Sequence, residues 1–314
     1  MIITSTVGKI DAAIGRFEGP LLAYMEKEEG DFAKQSLKKT LYNVKTSKHY
    51  SESVAGLTGI GDLVQTDGEI PYDSFEEGFS KTFIHKVFKK GIQIKRETID
   101  DAKLIDMQSQ AGNLIDSYNR TVEKFVHAPF NFIDQATFSL AGGTFDNKGA
   151  DGQPLASHSH PSKTGKAVNQ DNLTSFAFNA ANLKLVEEMF NNFTTDIGEK
   201  ANVFPDTIIV PFELRNEAWE LVGSEGATGT NNNNINSFYG KYNVIVSRWL
   251  TDKKAWFLVD SNYMKKCLYW LDRVPFETKS QVDFNTDNWM IKAYCRFSLG
   301  FTDWRWIIAN KPAA

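Results

Sequence analysis

Residues 98–136, TIDDAKLIDMQSQAGNLIDSYNRTVEKFVHAPFNFIDQA, constrain the fold of this chain more than any other stretch. Apolar or small residues at Ala111, Ile115, Tyr118, Val122, Val126, Ile133 and Ala136 recur at the 3.6-residue period of one helix face. Thr98 is the predicted cap, and Asp100 and Asp101 suit the positive N-terminal end of a helix. Pro129 is expected to kink or interrupt it. The glycines of AGGTFDNKGADGQP, residues 141–154, then break it. The block at 288–310, NWMIKAYCRFSLGFTDWRWIIAN, is too aromatic to be left in water and is predicted to return and pack on the long helix.

The chain has 314 residues, more than one compact core usually covers, so one elongated domain or two domains are expected. Hydrophobic residues at 41% and charged residues at 24% describe an ordinary globular protein. A net charge of −4 argues against a dedicated nucleic-acid binder, which carries a basic excess. Cys267 and Cys295 lie far apart with no CxxC partner and read as free thiols in a reducing compartment. The first residues lack the pattern of a signal peptide, and no run of 18 apolar residues offers a membrane span.

Residues 1–55 show little periodicity and read as an extended or partly ordered arm. From 57 to 97 the chain is punctuated by Gly59, Gly61, Gly68, Gly78 and Gly91. Between them FSKTFIHKVF and GIQIKRE alternate apolar and polar residues, and Asp67-Gly68 is a hairpin signal. This predicts a long protruding β-hairpin with one face wanting a partner. In the second half, ANLKLVEEMFNNF presents Leu183, Val186, Met189, Phe190 and Phe193 on one helix side. DTIIVP reads as a strand, FELRNEAWELV as a second helix, and NVIVS and AWFLVD as buried strands around an Asn-rich loop. Together these make a small α/β unit over about 170–262, followed by a strand-rich tail over 268–309.

Chemistry-bearing motifs are sparse. His158 and His160 would share one strand face, with Asp151 and Asp171 nearby, but a zinc site needs three or four ligands. The other histidines, His49, His85 and His127, complete no second ligand motif, so a surface turn with incidental histidines is the expectation. No GxSxG, Walker or GxGxxG motif occurs, and the adjacent carboxylates Glu76-Glu77 and Glu187-Glu188 do not face one cleft. Lys86, Lys89 and Lys90 form a basic cluster that suits an acidic neighbour. Without an assembled catalytic constellation, a structural or binding protein is expected, with no cofactor.

DGQPLASHSHP carries Asp151, Gly152, Leu155, Ser157, His160 and Pro161 in the spacing D-G-x-x-L-x-S-x-x-H-P. After a long helix and a glycine-rich break, this resembles a signature of tailed-phage major capsid proteins, in the branch of Mu-like head subunits. Glu77, Gly78, His85, Gly91, Ile94, Arg96, Glu97, Asp100 and Asp101 match the family's extended loop leading into its spine helix. PDTIIVPFELRNEAWELVGS with YNVIVSRWLTDKKAWFLVD resembles its axial domain, and WMIKAYCRFSLGFTDWRWI its C-terminal strand. The resemblance covers roughly residues 55–310.

It implies an α+β Hong Kong 97-type capsid fold. The expected division is an N-terminal arm over 1–55, an extended β-hairpin loop over 56–97, and a spine helix opening the peripheral domain over 98–170. An axial domain over 171–262 and a return to the peripheral sheet over 263–314 complete it. The implied function is self-assembly, through hexamers and pentamers, into an icosahedral shell around phage double-stranded DNA, which the shell contacts only non-specifically. The implied setting is a virion assembled in the bacterial cytoplasm, with separate scaffolding, portal and decoration proteins as possible partners and no membrane. Only about 55 residues precede the hairpin, so no built-in scaffolding domain is expected. An encapsulin-like shell is the nearest alternative, and a metal-dependent hydrolase using His158, His160 and Asp151 the more distant one. The glycines and unpaired strands of 57–95 predict rapid proteolysis there in free subunits and protection in assembled particles. Equal protection in both states contradicts this.

Overall fold

The computed structural model describes residues 6–57, 63, 65–68, 70, 72, 77–226 and 235–313. Its first element corrects the sequence reading: α1 (Thr6–Gln35) is a helix of 30 residues where an extended or partly ordered arm was expected. Ile14, Phe17, Leu21 and Met25 step along one face, and Ile14, Leu21 and Met25 are buried against Leu114, Ile115 and Trp289. Gly15, Gly19 and Pro20 hid that period, because they read locally as breakers. Tertiary burial outweighs their propensity cost.

After α2 (Lys38–Leu41), β1 (Asn43–Thr46) enters a sheet, and β2 (Ser51–Leu57) pairs antiparallel with β3 (Glu77–Ile84). The hairpin therefore takes its first strand from the segment read as arm. Asp67 and Gly68 lie in a bend, whereas Gly59, Gly61 and Glu76 fall outside the described residues. β4 (Lys86–Ile94) is not part of the hairpin: FSKTFIHKVF is split between two sheets at His85. The buried ring explains the switch, since its nitrogens bond Ser47 Oγ at 2.9 Å and Ser298 Oγ at 3.0 Å, one on each side.

The long helical run is also divided. α3 (Arg96–Asp100) ends before Ala102, whose φ of 53° is left-handed, and α4 (Leu104–Asn131) follows. Thr98 thus lies inside α3 and caps nothing; the extended residue before that helix is Lys95. Pro129 sits in the last turn of α4, and Ile133 and Ala136 lie beyond it. A tight hairpin, β5 (Thr137–Leu140) and β6 (Gly143–Asp146), turns through Ala141 and Gly142, both at positive φ.

β7 (Leu173–Thr174) leads to α5 (Ala180–Asn191), capped by Asn179 Oδ1, which accepts the Asn182 N–H at 2.9 Å. Leu183, Val186 and Phe190 are buried as predicted, and Phe193 is buried just past the helix end. β8 (Thr207–Pro211), α6 (Arg215–Gly223), β9 (Asn243–Ser247) and β10 (Trp256–Val259) continue the α/β unit. α7 (Ser261–Cys267), β11 (Leu268–Val282), β12 (Trp289–Phe301) and β13 (Ile307–Asn310) close the chain. One sheet has the order β1-β11-β12-β4 and the other β7-β13-β10-β8-β9. The tail expected to return to the first sheet is therefore shared: β13 inserts into the second, between β7 and β10. β9, expected to be buried, is an edge strand with Val244, Ile245 and Val246 half-buried.

α4 serves both layers. Met107, Ala111, Leu114 and Ile115 pack with α1 and with Trp289, Ile291 and Ala293 of β12, while Val122, Phe125, Val126 and Phe130 join a larger cluster that spans both sheets, Phe125 against Phe88 of β4 and Phe297 of β12 and Phe130 against Phe257 of β10. The aromatic tail thus packs on the long helix as predicted. At the seam, Tyr42 Oη donates to the Val126 carbonyl at 2.7 Å. The His127 Nδ1–H donates to the Glu123 carbonyl at 2.8 Å, and the Ser247 hydroxyl donates to Nε2 at 2.7 Å. Burial pushes the His127 imidazole down to about 4 and raises the Glu123 carboxyl.

Lowered in the fold, His127 stays neutral while the unfolded chain takes up a proton near pH 6.5. Its contribution is complete above that pH and is lost between about 6.5 and 4. Glu123, shifted up, has the opposite sign, with stability lost as pH rises above its unfolded value. His127→Leu is expected to remove on the order of 3 kcal/mol of the acid-side loss, measured by urea unfolding at pH 7 and pH 4. Equal pH dependence in the variant and the parent refutes it.

Candidate assembly surfaces and the histidine loop

The loop after α4 separates the two histidines that the sequence set side by side. His158 is exposed, with Nδ1 at 2.9 Å from Asp171 Oδ2. His160 is 1% exposed, which corrects the expectation of an incidental surface histidine. Its backbone N–H donates to the Gln170 carbonyl at 2.8 Å and its carbonyl accepts the Gln170 N–H at 3.2 Å. Asn172 fixes the ring. The Asn172 Nδ2 group donates to the carbonyls of Leu155 (2.9 Å) and Ile307 (3.1 Å), so Oδ1 must accept. It accepts the Ser157 N–H at 2.9 Å and the His160 Nε2–H at 3.0 Å. Nδ1 stands 2.6 Å from Asp151 Oδ2, and the ring stacks on Trp304 at 4.2 Å. Each of Asp151 and Asp171 therefore reaches one histidine, in two different places. Both nitrogens of His160 are engaged, and the ring ties the loop to β13 and to the Trp304 turn.

Beside it lies a network the sequence reading missed. Arg305 donates Nη2 to Asp196 at 2.9 Å, Nη1 to Asp303 at 3.1 Å and Nε to the Thr194 carbonyl at 2.8 Å. Asp260 caps α7 by accepting the Tyr263 N–H at 2.8 Å and also accepts the Phe204 N–H at 2.8 Å. These residues lie far apart in sequence and carry no motif spacing; a buried arginine inside the apolar run TDWRWII was the only local signal. Cys267 and Cys295 are buried free thiols, both pushed up by burial, Cys295 to about 12. Among the described residues no three or more His, Cys, Asp or Glu gather as a metal-binding group, and no helix is long and apolar enough to cross a membrane.

What the fold leaves uncovered is more telling. Leu63, Ile70 and Tyr72 of the hairpin are exposed, as are Phe204, Phe212, Trp219 and Tyr239 around the second sheet. Trp219 and Tyr239 border a groove of about 880 Å³ with Val244 and Val246 of edge strand β9. Lys86, Lys89 and Lys90 stand exposed along β4, the edge of the first sheet, while Glu187 pairs with Lys241 on the surface. Large exposed aromatics beside open strand edges call for protein neighbours.

A fold of this kind, with loops held by buried hydrogen bonds inside and exposed aromatics beside strand edges outside, suits a structural subunit that assembles with others. The family model described as phage capsid protein matches residues 80–310, and the chain belongs to that family. It is a shell-forming capsid protein. No curated protein matches the sequence. Among solved structures it is similar to a chain of Microbacterium phage Oxtober96, at 10% identity and TM-score 0.55 over 88% of this chain and 91% of that one. It is similar to the capsid of a native GTA particle at 13% identity and TM-score 0.54, over 89% and 90%. The mature capsid of bacteriophage PhiM1 aligns at 12% identity and TM-score 0.52, over 88% and 87%. The fold is the Hong Kong 97 type implied by the sequence motifs.

His160→Ala is expected to take from the buried Asp151 Oδ2 its histidine partner, leaving the carboxylate only the Gln153 N–H on Oδ1, and to cost about 2–3 kcal/mol of subunit stability. His158→Ala, at an exposed pair, is expected to stay within about 0.5 kcal/mol. Thermal unfolding of the two variants side by side checks this; equal losses contradict it.

Proposed function

We propose that this chain is the major head subunit of a tailed phage or prophage of the Mu-like branch, forming the hexamers and pentamers of an icosahedral shell around double-stranded DNA. The observation that carries the reading is the exposure of Leu63, Ile70 and Tyr72 between the paired strands β2 and β3, together with uncovered aromatics around edge strand β9. Each such contact is weak by itself, and only the sum over several neighbours closes a shell. The assignment to the phage capsid family over residues 80–310 supports it.

In this reading the protein does no chemistry. The engaged nitrogens of His160 support a structural role for the loop, and Asp151, His158 and His160 hold no metal. Assembly takes place in the host cytoplasm, with portal, scaffolding and decoration proteins as separate chains. The net charge of −4 keeps contacts with packaged DNA loose and non-specific.

Expression of the chain followed by electron microscopy and analytical ultracentrifugation is expected to give closed hollow particles or capsomers. A strictly monomeric profile across protein concentration and salt sinks the proposal. Particles from infected or induced cells are expected to contain double-stranded DNA; a protein cargo instead transfers the chain to the encapsulin-like class.

A further inference from the structure

Five phenylalanine rings gather where the first sheet meets the tight β5–β6 hairpin. Phe88, Phe125, Phe138, Phe145 and Phe297 form stacked, tilted and edge-on pairs with centroids 4.5–6.4 Å apart. They come from β4 and β12 of the sheet, from α4, and from both strands of the tight hairpin. Their packing does not fill the space beside β3. A cavity of about 280 Å³ remains, lined by these rings and by Lys81, Phe83 and Ile84 of β3. Phenyl surface that faces a cavity lacks partner atoms on that side, so an apolar occupant gains both contact and burial.

The polar groups of the lining decide what else the occupant must carry. Lys81 pairs with Asp146. Thr82 Oγ1 lies 3.4 Å from Ser53 Oγ, and Thr144 Oγ1 lies 3.4 Å from Ser139 Oγ. The Ser298 hydroxyl is committed to His85 Nδ1 at 3.0 Å. Lys86 is different, because its ammonium has no ion-pair or hydrogen-bond partner among the described residues. It shares a face of β4 with Phe88 and lies opposite Phe297 in the register, so its stem rises from the phenyl cluster while the residue stays exposed. Two lysines against one aspartate leave the lining with one net positive charge, carried by Lys86.

We propose that this cavity binds a small amphiphile with one linear hydrocarbon chain and one carboxylate, of the medium-chain fatty-acid type. The chain lies among the phenyl rings, and the carboxylate meets Lys86 at the mouth. A nucleic-acid phosphate matches Lys86 but has nothing to place on the rings. A cationic amphiphile matches the rings but is repelled by Lys86. All the walls come from one subunit, with β3 on one side and β4, β6 and β12 on the other, so the site is complete without a second copy. An occupant ties β3 to the first sheet and to the tight hairpin. The inference goes beyond the shell reading and does not depend on it.

The test is isothermal titration calorimetry of the purified full chain with hexanoate, octanoate, decanoate, dodecanoate and tetradecanoate, each kept below micelle-forming concentration. Affinity is expected to rise about fourfold per added methylene and to level off once the chain fills the cavity. Decyltrimethylammonium is the matched probe of opposite charge, and it is expected to bind at least about tenfold more weakly than decanoate. Lys86→Glu changes an exposed side chain, leaves the fold intact and is expected to reverse that preference. Decanoate is also expected to raise the thermal unfolding temperature of the parent chain and not that of Lys86→Glu. No binding of any carboxylate, an affinity that climbs with chain length without levelling, equal binding of the two decyl probes, or a preference unchanged in Lys86→Glu each overturns the proposal. A chain that binds decanoate in this pattern yet never forms particles defeats the shell reading and leaves this site standing.

Discussion

The apolar stripe of α4 is the constraint on which the rest of the structure depends. Its N-terminal half buries Met107, Ala111 and Leu114 against α1 and β12, and its C-terminal half buries Phe125 against β4 and β12 and Phe130 against β10 of the second sheet. One rigid helix thereby sets the relation of two sheets that share no strand. Running a helix through the seam of two cores also desolvates its polar residues. Glu123 and His127 are both buried there, and the fold meets the cost by pairing His127 on each nitrogen and by raising the Glu123 carboxyl toward its neutral form.

The chain after α4 has little regular structure, yet it is not loose. From Asn147 to Asn172, order comes from side chains bonding to backbone. Asn147 Nδ2 donates to the carbonyls of Phe132 and Gln135, and Asn172 spans Leu155 and Ile307. His160 and Arg305 complete this layer around Trp304. Buried polar groups that are fully paired define a single arrangement, since each alternative leaves a desolvated donor or acceptor. A subunit that meets several neighbours at once benefits from loops held in this way, because a mobile loop would lose ordering entropy at every contact.

The surface has the complementary character. Aromatics around β9, the exposed hairpin and the outer face of the first sheet carry groups that an isolated subunit does not satisfy internally. On the shell reading proposed above, those groups find partners on other copies, and the free energy of closing the particle is distributed over many modest contacts.

Elements with a strong local period were legible in the sequence: the body of α4, α5, the all-buried strand β8, and the aromatic β12 that covers α4. Motif spacing around Asp151, His160 and Pro161 was legible too, and it pointed to the right family. α1 was not, because Gly15, Gly19 and Pro20 interrupt a pattern that burial by α4 and β12 restores. Neither was the split of FSKTFIHKVF at His85, which depends on Ser47 and Ser298, or the placement of β13, which depends on β7 and β10. The roles of His158 and His160 diverge for the same reason. Adjacent positions carry similar local information, and only contacts with Asn172, Asp151 and Trp304, distant or in another element, decide which ring is buried. Sequence period reports what a segment can bury; the partner that buries it is chosen by the folded chain as a whole.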